Sequence, residues 1–107
     1  MAKIKYENTY GEEWEIYYND LLAGVLRFYE SPDFKYKDEQ LIRFLGYIEV
    51  RPEFRQKGIL RDVVDKFDVK SLMVDDIEKI DIETLKKIYM RLGFKLIDGS
   101  ERFMVRN

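Results

Sequence analysis

Apolar and polar positions alternate with period two through WEIYYND, Trp14 to Asp20, a stretch rich in aromatic and β-branched residues, which is the pattern of a half-buried β-strand. LLAGVLRFYE, Leu21 to Glu30, follows directly after the turn-prone pair Asn19 and Asp20, so the two runs predict a hairpin. A short first strand, KIKYE, precedes them, and the polar loop SPDFKYKDEQ separates them from a third run, LIRFLGYIEV, Leu41 to Val50. That run is long for a strand, and Gly46 inside it marks a bulge or a close backbone approach.

The period then changes. Leu60, Val63, Val64 and Phe67 fall at i, i+3, i+4 and i+7, one face of a helix. SLMV, Ser71 to Val74, reads as a short buried strand. Asp81 stands where an N-cap belongs, ahead of a second helix whose apolar stripe is Ile82, Leu85, Ile88, Tyr89 and Leu92, and Gly93 stands where helix C-termini prefer glycine. Two closing strands, FKLI and RFMVR, are joined by the turn Asp98-Gly99-Ser100. Strand, turn, helix and strand from Leu41 to Val74 form a crossover, which requires one parallel pair in an otherwise antiparallel sheet. The expected class is α/β in the α+β sense: a mixed, mostly antiparallel sheet of about six to seven strands with two main helices. No linker or repeat divides it, so residues 1–107 are expected to form a single domain.

Composition narrows the chemistry. With no Cys and no His, disulfides, thiolate nucleophiles, the Ser-His-Asp triad and the usual zinc cages are excluded. A net charge of −2 argues against a nucleic-acid module, which shows a basic face. The start MAKIKYENTY lacks an apolar signal core, and no apolar run approaches a membrane span; a soluble, cytoplasmic protein is expected. The acidic cluster Asp75, Asp76, Glu78, Asp81 and Glu83 lacks the spacing and glycine of a calcium loop, so capping and solvation account for it and no metal is expected.

One stretch stands apart. RPEFRQKGIL, Arg51 to Leu60, gathers Arg51, Arg55 and Lys57 around Gly58, with Arg61 just beyond, at the start of the first helix. A helix N-terminus exposes unpaired N–H groups and the positive end of the dipole, so an anion such as phosphate suits this stretch.

Three segments carry a resemblance to a known family: YIEVRPEFRQKGIL, VVDKF and LKKIYMRLGFKLI. The first resembles the strand and pyrophosphate loop, Gln/Arg-x-x-Gly-x-Gly/Ala, of the GNAT superfamily of acyl-CoA-dependent N-acetyltransferases, and the last resembles its segment ending in Tyr-x-x-x-Gly-Phe. YYNDLLAGVLRFYE looks like the family's second and third strands. The resemblance implies a minimal GNAT-like N-acetyltransferase domain that binds acetyl-CoA, with coenzyme A as the anion. Main-chain N–H groups of Gln56, Lys57, Gly58, Ile59 and Leu60 would cradle the pyrophosphate, Ile48 and Val50 would pair with the pantetheine arm, and Arg51, Arg55 and Arg61 would reach phosphate. Leu60 holds the loop's last small position. Asp81 or Ile82 replaces an Asn that many relatives carry two turns before the tyrosine. Glu7 to Trp14 is too short for the two helices that usually wall the acceptor site.

The implied reaction moves acetyl to a primary amine by direct attack in a ternary complex. For the base that takes the amine's proton, Glu49 is the first candidate, with Asp75 and Asp76 behind it; an ordinary outward-facing strand residue is the competing reading of Glu49. Tyr89, at the family's tyrosine position, would protonate the departing thiolate, and it also falls on the core stripe of its helix. An open acceptor site suits a protein amine better than a small metabolite. A catalytically silent acyl-CoA-binding or protein-interaction domain is the alternative, followed by an RNA-binding sheet, and a homodimer paired through a sheet edge is open.

Overall fold

A computed structural model describes residues 2–30, 35–36, 39–40, 43–74, 80–97 and 99–106 of the chain. Its elements, in order, are β1 (Ile4–Tyr10), β2 (Glu13–Tyr18), β3 (Leu21–Glu30), β4 (Lys35–Tyr36), β5 (Glu39–Gln40), β6 (Arg43–Val50), a 3₁₀ turn (Pro52–Phe54), α1 (Ile59–Lys66), β7 (Ser71–Met73), α2 (Ile82–Arg91), β8 (Lys95–Leu96) and β9 (Phe103–Val105). Seven strands form one sheet in the order β1-β2-β3-β6-β7-β9-β8, and β4 and β5 pair as a separate antiparallel ribbon. The sheet is antiparallel throughout except for β6 and β7, which run parallel. This is the mixed α/β architecture the alternating and helical periods imply.

Local chemistry explains the joints. Asn19 and Asp20 both take left-handed backbone, with φ of 49° and 69°, the conformation of a two-residue hairpin turn whose twist matches its strands. β1 runs further than KIKYE and turns at Gly11 and Glu12 directly into β2, so strand occupies most of the spacer from Glu7 to Trp14. The expected loop SPDFKYKDEQ contains the small β4–β5 ribbon; its remaining residues, Leu41 and Ile42, the acidic residues Asp75, Asp76 and Glu78, and Asp98 of the last turn lie outside the described residues.

Asp81 caps α2 by accepting a hydrogen bond from the Thr84 N–H at 2.7 Å, and that bond holds its carboxyl below the usual range. At the other end Gly93 has φ 97°, and the Phe94 and Gly93 amides donate back to the Tyr89 and Met90 carbonyls, a Schellman closure. α1 ends the same way with Asp68 in the left-handed position, φ 48°, and Val69 donating to Val64.

The principal core lies on one sheet face, where Ile16, Leu26, Leu45 and Ile48 meet Val63 and Val64 of α1 and Leu85 and Tyr89 of α2. A smaller cluster, Phe44, Phe103 and Val105, lies on the other face. β6 serves both because Arg27 pairs with Tyr47 while Phe28 pairs with Leu45, leaving Gly46 as an extra, bulged residue. A Cβ there would lie 2.2 Å from the Tyr29 ring, so the bulge and the close approach expected of Gly46 coincide.

Candidate active site

β6 and β7 pair at a single position, Leu45 with Leu72. Beyond it the two strands part, and among the described residues no strand pairs with that side of Gly46 to Val50. The divergence opens a cleft of about 540 Å³, within the size range of ligand sites. Its floor is Ile48 and Val50 of β6. Its rim on one side is Phe54, Arg55, Gln56 and Gly58, followed by the first turn of α1. The opposite wall is α2, through Leu85, Ile88, Tyr89 and Leu92.

The basic loop is shaped by its backbone. Gln56 and Gly58 both have positive φ, 61° and 79°, and left-handed residues interspersed in a turn are a way for a chain to gather successive N–H groups around a concavity. Gly58 is the N-cap residue of α1, and no side chain caps that end. The first amide bonded back to the cap belongs to Asp62, 3.0 Å from the Gly58 carbonyl, so helix geometry leaves the N–H groups of Ile59, Leu60 and Arg61 without intrahelical acceptors at the rim.

The expected phosphate and pantetheine residues Ile48, Val50, Arg55, Gln56, Gly58, Ile59, Leu60 and Arg61 all line this cleft. Arg55 is partly committed, since its Nε donates to the Val50 carbonyl at 3.1 Å. Leu60 is half-buried against the principal core while also lining the cleft. Arg51 and Lys57 are exposed beside it, and the Lys57 ammonium lies 5.7 Å from the centre of the Tyr18 ring. None of Arg51, Lys57 and Arg61 forms an ion pair with a described residue.

The two candidate catalytic side chains are placed differently. Tyr89 is 3% exposed, meets Phe94 edge to face with ring centres 6.1 Å apart, and borders the cleft. Its hydroxyl has no hydrogen-bond partner among the described residues, and burial pushes its pKa above the ordinary phenol value. Core stripe and cleft wall are thus the same surface. Glu49 is half-buried and does not line the cleft; by strand alternation it projects on the face opposite Ile48 and Val50, where it accepts a 2.5 Å hydrogen bond from the Tyr47 hydroxyl. That bond raises Tyr47 to about 12.

Sequence reasoning missed Arg91, which borders the cleft from the last turn of α2, and Thr84, which borders it from the first. The only signal for them was their helical spacing from Ile88 and Leu85, which reads equally as a solvated flank. Among the described residues no group of three or more His, Cys, Asp or Glu side chains could hold a metal, and no helix is long and apolar enough to cross a membrane.

No protein-family model matches the chain, and no curated protein matches it. Among solved structures it is similar to an acetyltransferase of the GNAT family from Listeria monocytogenes, with a TM-score of 0.50 and 22% sequence identity over 88% of this chain. The chain spans 62% of that protein's length. Strand order, the parallel pair, the cleft at its divergence and this likeness agree: the chain has a GNAT-like fold.

Proposed function

We propose that the chain is a cytoplasmic single-domain acetyltransferase that transfers acetyl from acetyl-CoA to a primary amine carried by a protein. The observation that carries this reading is the cleft itself, in which the uncapped N-terminus of α1, a loop with two left-handed residues and the unpartnered Tyr89 hydroxyl share one cavity. Amides of Gln56 to Arg61 hold the pyrophosphate, helped by Arg61 and Arg91, while the free side of Ile48 to Val50 offers main-chain groups to the pantetheine amides as an added strand would.

In the reaction the amine nitrogen forms a bond to the thioester carbonyl carbon and the carbon–sulfur bond breaks. The amine's proton goes to a base and the sulfur leaves as a thiolate. Tyr89 serves the thiolate from the cleft side; burial raises its pKa and keeps the phenol protonated, so it donates a hydrogen bond to the departing sulfur rather than giving up its proton. Glu49 takes the amine's proton from the other face of β6, so donor and acceptor approach the strand from opposite sides.

Calorimetric titration of coenzyme A into the wild-type protein and two Gly58 variants tests the binding half. Asn and Asp both tolerate left-handed backbone and have nearly the same shape, so Gly58→Asn controls for the strain of φ 79°. Micromolar-range binding is expected for wild type, modest weakening for Gly58→Asn, and loss for Gly58→Asp, which sets a carboxylate against phosphate. Equal affinity in a folded Gly58→Asp protein would remove the pyrophosphate assignment.

A further inference from the structure

Away from the helices, the sheet face formed by β1, β2, β3 and the end of β6 is covered by no helix among the described residues. Register draws a row across it. Glu7 lies opposite Glu15, Glu15 opposite Val25, and Val25 opposite Glu49. With neighbouring strands about 4.8 Å apart, the row is about 14 Å long. Glu13 sits in the next row, opposite Arg27, which is opposite Tyr47.

The arrangement is unfavourable for the fold alone. Like charges directly across a strand pair are destabilising, and Glu7 faces Glu15 in that way. None of Glu7, Glu13, Glu15 and Glu49 has an ion-pair partner among the described residues. The two cations of the face are engaged elsewhere, Lys5 with Asp20 at 3.5 Å and Arg27 over the Tyr29 ring at 5.2 Å. Hydroxyls of Tyr17 and Tyr47 donate to Glu15 and Glu49, which orients those carboxylates and leaves aromatic surface beside them; Tyr47 is 39% exposed. Carboxylates for ammonium groups and tyrosine rings for methylene stems are the two things a lysine side chain seeks.

We propose that this face docks a lysine-rich extended segment of the acceptor protein, whose cations lie along the Glu7–Glu15–Glu49 row. An extended chain rises about 3.3 Å per residue, so lysines at alternate positions over about five residues match the row's length. A second copy of the chain is a poor occupant, because self-pairing of the face sets one glutamate row against another. Docking is independent of the reaction, but its role as the acceptor site rests on the acetyltransfer reading and supplies that reading with the class of its substrate.

The test is fluorescence anisotropy of a labelled peptide of about nine residues with lysine at alternate positions, measured beside coenzyme A calorimetry on the same proteins. Micromolar-range binding is expected, weakened at least about tenfold when salt rises from about 20 to about 200 mM. Glu7→Lys should weaken it by a similar factor while holding or raising the melting temperature, since it replaces a like-charge pair by an opposite one; Glu15→Gln should weaken it less. Unchanged affinity in both variants, or tighter binding of free spermidine than of the peptide, would overturn the docking proposal. Coenzyme A binding without peptide binding overturns docking alone. Peptide binding without coenzyme A binding overturns the acetyltransfer reading and leaves the docking face.

Discussion

Replacing Tyr89 by Phe separates the packing of its ring from the role proposed for its hydroxyl. The ring is buried against Phe94 and the core, and Phe preserves it. The hydroxyl has no partner among the described residues and is not among the fully buried polar atoms left without one, so removing it forfeits no protein hydrogen bond and relieves at most a small part of the cost of burying a polar group, about 1–3 kcal/mol where burial is complete. Stability should therefore stay level or rise by up to about 1 kcal/mol, a melting temperature higher by up to roughly 4–8 °C in a domain of this size. Catalysis should move the other way. A donor that acts on the thiolate only as it forms contributes about 10²-fold, or about 2.7 kcal/mol at the transition state, so kcat falls by that factor while acetyl-CoA affinity holds. Release of the coenzyme A thiol can be followed with a thiol reagent without background, because the chain has no cysteine. An unchanged kcat in a folded Tyr89→Phe protein would refute the assignment and leave Tyr89 as a core aromatic.

Gly24→Ala should destabilise the fold by about 2–5 kcal/mol in chemical denaturation, because its Cβ would lie 2.0 Å from the Glu49 carbonyl oxygen and relief must loosen the β3–β6 ladder; a loss under about 0.5 kcal/mol would show that the ladder yields freely. Tyr6 donates to Asp62 at 2.6 Å, tying β1 to α1, and Tyr6→Phe should cost about 1–2 kcal/mol. Burial, with Asp62, raises the Tyr6 pKa above the ordinary phenol value of about 10, so its contribution is intact below about pH 10 and is lost as pH climbs through the raised value; the variant should show a shallower alkaline limb in melts taken against pH. With no cysteine to hold an acetyl group, double-reciprocal plots should intersect, and trapping of an acetyl-enzyme would contradict direct transfer.

Elements whose signal is local were legible in the sequence. The period-two runs, the Asn19-Asp20 turn, the Asp81 cap and the Gly93 closure each depend on residues a few positions apart, and each lies where its chemistry put it. The glycine turn ahead of α1 was legible for the same reason. Arg91 and Thr84 were not, since their place at the cleft follows from how α2 packs over the parted strands. The glutamate row was equally hidden. Glu7, Glu15 and Glu49 come together only through the registers of three strand pairs, and each of those registers slips by a residue at a bulge or irregularity.

Gly46 also governs how β6 leaves β7. A bulge bends its strand and adds twist, and this one falls immediately after Leu45, the last residue of β6 paired with β7. Because the extra residue is skipped in the alternation, a chain lacking Gly46 would still send Leu45, Ile48 and Val50 to the core and Tyr47 and Glu49 to the other face. Only the bend would go. A shortened chain of this kind would keep the parity of every side chain yet lose the bend that turns β6 away just after its pair with β7. The bulge thus links the opening between these strands to the length of the chain at one position.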